Sequence, residues 1–176
     1  MITLKRFRWW ELGYLYSLYL SAFPARERKP FGTIVRMARE GRADLWVIRK
    51  GGAFAGLAAT VNAPDLVLLD YLAVSKKYRG WGIGTAALKT LMEQYPALFV
   101  EIESTHEESD NHQEREKRKR FYVNCGMVPT EVEADVFGVR MELLCHGCFL
   151  DFADYRGFYR EHYSPWAAEH IQEVQL

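Results

Sequence analysis

No apolar run in the 176-residue chain approaches the roughly 20 residues that cross a bilayer, so no membrane association is expected. Charge of one sign is lacking too. Lys and Arg together number 23, as do Asp and Glu, for a formal net charge of zero. Nucleic-acid binding draws on many phosphate contacts, so a nucleic-acid partner is not expected of so neutral a chain. Cysteine is scarce. Cys125, Cys145 and Cys148 cannot all pair, which fits a reducing compartment. Cys145 and Cys148 have Cys-x-x-Cys spacing, but no second pair accompanies them, and no metal is expected. A redox dithiol would sit at a helix start after a strand; this pair ends an apolar run and reads as structural. Basic residues precede an aromatic stretch at the N-terminus. Glu11, Tyr14, Tyr16 and Tyr19 interrupt that stretch and an Ala-x-Ala site is missing, so no signal peptide is expected. The expected location is cytoplasmic.

What the chain has is core material: 49% hydrophobic and 14% aromatic residues, enough to exclude disorder. Ile2–Phe7 alternates as a strand does. Leu12, Leu15, Tyr19 and Phe23 recur at helical spacing up to Pro24, and a second helix is predicted over Phe31–Glu40. Three strands follow: Leu45–Arg49, Ala53–Val61 and the nearly all-apolar Leu66–Val74. Then come a helix at Thr85–Tyr95, a strand at Leu98–Glu103 and a helix near Glu114–Asn124. Strands at Val128–Val132 and Phe137–Leu144 complete the order, with a helical tail over Asp151–Gln175, broken at Ser164-Pro165. Antiparallel strands leading into one strand–helix–strand crossover predict a mixed sheet.

The most informative segment runs Leu72-Ala73-Val74-Ser75-Lys76-Lys77-Tyr78-Arg79-Gly80-Trp81-Gly82-Ile83-Gly84-Thr85. A buried strand enters a loop with three alternate glycines, and a helix starts at once. Such a loop lets backbone approach a ligand closely, and the free N–H groups of the helix start favour an anion. Arg79 adds forked donors suited to phosphate. A Walker loop would need Gly-Lys-Ser/Thr, which is missing, and a dinucleotide fold would place its glycines after the first strand rather than the fourth.

Arg79-Gly80-x-Gly82-x-Gly84 after Leu72-Ala73-Val74 resembles the acetyl-CoA pyrophosphate loop of the GNAT acyltransferase superfamily. A second motif, Arg120-Phe121-Tyr122-x-x-x-Gly126-Met127, resembles that family's helix ending in Phe-Tyr and then Gly-Phe. The sequence departs from the pattern at Arg115, where the family often has Asn, and at Met127, where it usually has Phe. The resemblance implies an α/β (α+β), single-domain GNAT-like fold: a mixed, mostly antiparallel sheet with helices on both faces and a V-shaped splay between the fourth and fifth strands. Residues 1–148 would form that domain, and 149–176 a helical C-terminal extension of it.

The resemblance also implies chemistry. Acetyl-CoA would be the cosubstrate, held by the backbone of Leu72, Ala73 and Val74 along its pantetheine arm. Arg79, Gly80, Trp81, Gly82, Ile83, Gly84 and Thr85 would hold its pyrophosphate. A primary amine of a small molecule or peptide would attack the thioester directly in a ternary complex. Tyr122 is the candidate general acid for the leaving thiolate. Glu101 and Glu103 alternate on one strand, so both point to one face. Either could bind a cationic amine or remove its proton, and Asp70 is a further candidate base. The charged helix Glu114–Arg120 has mixed signs and an acidic segment before it, as a solvated face would; Arg115 and Lys119 are its members that could reach CoA phosphates. The tail leaves three roles open: covering the acceptor cleft, docking on the sheet or a homodimer contact. The alternative on the same fold is a catalytically silent acyl-CoA-binding sensor or assembly module.

Overall fold

The computed structural model describes residues 1–175. Among them the strands are β1 (Ile2–Arg6), β2 (Ala43–Lys50), β3 (Ala53–Asn62), β4 (Val67–Val74), β5 (Leu98–Glu103), β6 (Val128–Val136), β7 (Val139–His146) and β8 (Ile171–Glu173). The helices are α1 (Leu12–Ala22), α2 (Phe31–Arg39), α3 (Ile83–Gln94), α4 (His112–Asn124), α5 (Phe152–Phe158) and α6 (Pro165–Glu169). Hydrogen bonding orders the strands β1-β2-β3-β4-β5-β7-β6-β8, in a mixed, mostly antiparallel sheet with one parallel pair. By internal packing the chain divides into two compact units, Met1–Asn62 with Leu69–Gln94, and Ala63–Leu68 with the chain from Tyr95 onward.

In the first unit β1, β2 and β3 form an antiparallel meander, with Arg6 opposite Trp46 and Leu45 opposite Ala59. Period-two alternation then sends β4 side chains to two separate cores. Tyr71 and Ala73 join Leu45, Val47, Leu57 and Ala59 beneath α1 and α2. Leu72 and Val74 join Ile48, Ala55 and the α3 residues Ile83 and Ala87. The segment between α1 and α2 is tied to β4. The Tyr71 hydroxyl donates to the Glu27 carbonyl at 3.0 Å and accepts from the Lys29 N–H at 3.0 Å. Lys29 Nζ lies 2.7 Å from Asp70 Oδ1.

In the second unit the Val67 N–H at the start of β4 donates to the Ala97 carbonyl at 3.0 Å. β5 pairs antiparallel with β7, which turns back from β6. The predicted strand over Phe137–Leu144 starts later, because Phe137 (φ 54°) and Gly138 (φ 82°) form the two-residue turn between β6 and β7. Phe137 offsets that unusual backbone by stacking on His170, with ring centroids 5.3 Å apart. The tail is not helical throughout. After α6 the chain extends as β8 and pairs with β6, placing Ile171 opposite Val136. Helical patterning could not reveal this, because β8 is three residues long and depends on a strand already in place.

Gly56 on β3 packs tightly against β4. A β-carbon there would lie 2.4 Å from the Ala73 carbonyl oxygen on β4. Gly56→Ala should therefore destabilise the protein by roughly 1–3 kcal/mol, the range of overpacked cores. Gly32→Ala in α2, where a β-carbon meets nothing within 4 Å, should be neutral or mildly stabilising. Thermal melts of the two variants check the contrast.

Candidate active site

The first unit carries the glycine-rich loop. From Val74 the chain makes a tight turn at Lys76–Tyr78, closed by the Tyr78 N–H to the Ser75 carbonyl at 2.8 Å. Gly80 (φ 78°) and Gly82 (φ 70°) take left-handed backbone that other residues rarely adopt, and a β-carbon on either would meet nothing within 4 Å. Space is therefore open where a ligand would approach. α3 begins at Ile83, two residues earlier than the periodicity predicted. The Ala86 N–H closes its first turn onto the Gly82 carbonyl at 3.0 Å, so the amides of Ile83, Gly84 and Thr85 have no acceptor within the helix. Gly84 and Thr85 thus belong to the first turn rather than to the loop.

Two cations lie at this loop. Arg79 Nε donates to the Val74 carbonyl at 3.2 Å, which holds the side chain against the end of β4. Trp81 is 64% exposed, and Lys50 Nζ sits 3.3 Å from its ring centroid. Sequence reasoning missed Lys50. It ends β2, some thirty positions away along the chain, and no local signal pairs it with Trp81. Asp70 is already engaged by Lys29.

The second unit carries the other candidates. Tyr122 sits in the last turn of α4 and is buried, its ring 5.1 Å from that of Phe121. Burial pushes its hydroxyl up to about 12; the nearby Arg118 opposes that rise and Cys125 adds to it. The phenol therefore keeps its proton throughout the neutral range and remains a hydrogen-bond donor.

Glu101 and Glu103 both project from β5, yet their surroundings differ. Glu103 is 1% exposed and faces two guanidiniums, Arg115 at 3.1 Å and Arg118 at 3.3 Å. Asn111 donates to it at 3.3 Å. Glu101 is half-buried, and its two oxygens accept from the hydroxyls of Tyr155 at 2.6 Å and Tyr159 at 3.0 Å. Neither tyrosine was singled out from sequence, because both lie more than fifty residues downstream of Glu101.

The charged run of α4 is only partly a solvated face. Arg115 is buried and also donates to the Ser104 carbonyl at 3.0 Å, while Lys119 Nζ lies 2.6 Å from Glu142. Burial alone would raise the Glu133 carboxyl; hydrogen bonds from His106, Ser104 and Arg140, with the Arg140 charge, hold it below the usual range. Burial and the neighbouring Cys145 push the Cys148 thiol up to about 11, and Cys145 Sγ donates to the Cys148 carbonyl at 3.1 Å. Among the described residues no cluster of His, Cys, Asp and Glu could hold a metal ion, and no helix is long and apolar enough to cross a membrane.

A strand, a glycine-rich loop and a helix start on a mixed sheet with one parallel pair match the fold of CoA-dependent acyltransferases. The model of the acetyltransferase (GNAT) family matches residues 8–127, and the chain belongs to that family, whose general reaction is acetyl transfer from acetyl-CoA. No curated protein matches the sequence. The fold is similar to that of a protein from Bacteroides thetaiotaomicron described as a GNAT-family acetyltransferase. The two share 17% identity at a TM-score of 0.76, over 94% of this chain and 98% of that one. The ribosomal-protein-S18-alanine N-acetyltransferase of Escherichia coli is 18% identical, with a TM-score of 0.65 over 86% of this chain and 97% of its own. A GNAT acetyltransferase from Elizabethkingia anophelis, solved with acetyl-CoA bound, is 17% identical at a TM-score of 0.61. That match covers 82% of this chain and 97% of the other.

The Glu133 carboxyl is held low in the folded protein, so its contribution to stability is complete above about pH 4.5, its ordinary value. That contribution is lost as pH falls through the lowered value. Glu133→Gln should therefore flatten the acid limb of a plot of melting temperature against pH, while lowering the melting temperature at neutral pH.

Proposed function

We propose that this protein is an N-acetyltransferase that moves the acetyl group of acetyl-CoA onto a primary amine of a small molecule or peptide. The observation that carries the reading is the cradle at the end of β4: left-handed Gly80 and Gly82 beside the open first-turn amides of α3. In this reading those amides and Arg79 hold the pyrophosphate, Trp81 flanks it, and the backbone of Leu72, Ala73 and Val74 meets the pantetheine arm. The E. coli enzyme, described as a ribosomal-protein-S18-alanine N-acetyltransferase, supports a peptide amine as one acceptor class.

The neutral amine attacks the thioester carbonyl carbon; a C–N bond forms and the C–S bond breaks. The leaving thiolate accepts a hydrogen bond and then a proton from Tyr122, whose buried hydroxyl keeps that proton at neutral pH. The proton lost from nitrogen passes to Glu101, directly or through water. Of the two β5 acids, Glu103 is already committed to Arg115 and Arg118. In this reading the half-buried Glu101 is the acceptor-side group, and Glu103 anchors α4.

Gly82→Asp and Arg79→Glu should each weaken CoA binding at least tenfold by calorimetry, since a carboxylate then faces phosphate. Unchanged affinity in a folded variant would remove the pyrophosphate assignment.

Tyr122→Phe should leave acetyl-CoA affinity nearly intact and lower kcat about 10²–10⁴-fold, the usual worth of general acid catalysis. The assay follows thiol release with spermidine, Nα-acetyl-lysine amide and Ala-Gly-Ser-Phe amide as acceptors. Binding of acetyl-CoA with no thiol release on any amine would favour a silent acyl-CoA sensor.

A further inference from the structure

The end of β2 brings a cation to the glycine loop from outside it. Alternation along β2 sends Ile48 into the core beneath α3, so Lys50, two residues on, rises on the same face. The hairpin that follows fixes its base. Gly51 (φ 56°) and Gly52 (φ 85°) make the turn. The Gly51 N–H donates to the Met1 carbonyl at 3.1 Å, and Arg49 donates to the Gly52 carbonyl at 2.6 Å. From that support Lys50 Nζ lies over the Trp81 ring, 3.3 Å from its centroid. Trp81 stands between the left-handed Gly80 and Gly82, and at 64% exposure core packing does not account for it. As an aromatic platform it holds an ammonium at the loop.

That ammonium joins a loop already carrying Lys76, Lys77 and Arg79. Among the described residues none of these four cations forms an ion pair with a carboxylate. Like charges gathered in this way repel one another, and an anionic ligand relieves the repulsion. Acetyl-CoA has two phosphate groups to place, the diphosphate and the monoester on the ribose 3′ oxygen. In the proposed function Arg79 and the α3 amides hold the diphosphate, which leaves the monoester to be matched. A guanidinium fork and fixed N–H groups suit a diphosphate lying close to backbone. A compact ammonium on a long stem suits a dianion at the ligand's outer end. Lys50 is also placed for that end: in the strand order β2-β3-β4 it rises two strands from β4, along which the pantetheine arm is assigned.

We propose that Lys50, held over Trp81, pairs with the 3′-phosphate of CoA and makes the site select CoA over 3′-dephospho-CoA. Trp81 is the positioning residue for that ammonium. The inference rests on the assignment of the diphosphate to the glycine loop.

Calorimetry of CoA and 3′-dephospho-CoA against the wild type, Lys50→Met, Lys50→Arg, Trp81→Leu and the double variant Lys50→Met/Trp81→Leu tests it, with thermal melts to establish folding. The wild type should bind CoA about tenfold more tightly than dephospho-CoA, the worth of one charge-assisted hydrogen bond. Lys50→Met should weaken CoA about tenfold and leave dephospho-CoA within about twofold, so the preference disappears. Lys50→Arg should keep the preference, because the charge and the stacking on Trp81 both survive. Trp81→Leu should cut the preference about threefold through the freed lysine, and in the Lys50→Met background should affect both ligands alike. Equal losses for the two ligands in Lys50→Met, or none for either, overturn the 3′-phosphate role and leave the glycine-loop assignment standing. Equal losses in Trp81→Leu alone overturn only the positioning role. The wild type decides even if a variant does not fold: equal affinities for the two ligands overturn the proposal. If it binds neither ligand, the glycine-loop assignment fails and the proposal falls with it.

Discussion

Strand β4 belongs to two hydrophobic cores at once, and the position of the glycine loop depends on that constraint. Tyr71 and Ala73 are held beneath α1 and α2, Leu72 and Val74 against α3, so the strand can neither rotate nor slide by one residue without sending each set of side chains into the core shaped for the other. Gly56 tightens the grip, since only a residue without a side chain lets β3 pass so near the Ala73 carbonyl. A strand fixed in this way sets where its last residue releases the chain into the glycine loop. Ile83, buried under the same sheet, sets where the helix resumes. The amides between those two anchors are thereby placed by packing alone, as the proposed anion recognition requires.

A different principle governs the second unit: its buried charges are met by partners from other elements. Glu103, Glu133 and Glu142 face Arg115, Arg118, Arg140, His106 and Lys119. These pairs offset the cost of removing charge from water and join α4 to the strand ends beside it. Glu101, two residues from Glu103, accepts hydrogen bonds from Tyr155 and Tyr159 of the tail. Alternation along one strand thus yields two glutamates of like direction and unlike surroundings.

Much of the fold was legible in the residues. The hairpin turns, the apolar run of β4 and the helices closed by Pro24 or Gly126 follow from periodicity and local breakers, signals confined to a few neighbouring positions. The tail was misread because its patterning is helical while its last strand exists only by pairing with β6. The turn at Phe137 was missed because a phenylalanine seldom adopts left-handed backbone, and aromatic contacts with His170 and Trp166 compensate it from outside the segment.

By itself the sequence determined the glycine loop and its position after an apolar strand, for a physical reason: positive φ and a helix start are demands on consecutive residues, and consecutive residues must meet them. It likewise determined that Glu101 and Glu103 share a face, since alternation is a property of any extended chain. Only the tertiary structure decided what those residues touch. Lys50 over Trp81, Arg115 against Glu103, and Tyr155 and Tyr159 on Glu101 each join positions distant in the chain. Partner choice for a buried charge depends on which elements pack together, and packing is a property of the folded chain rather than of any stretch of it.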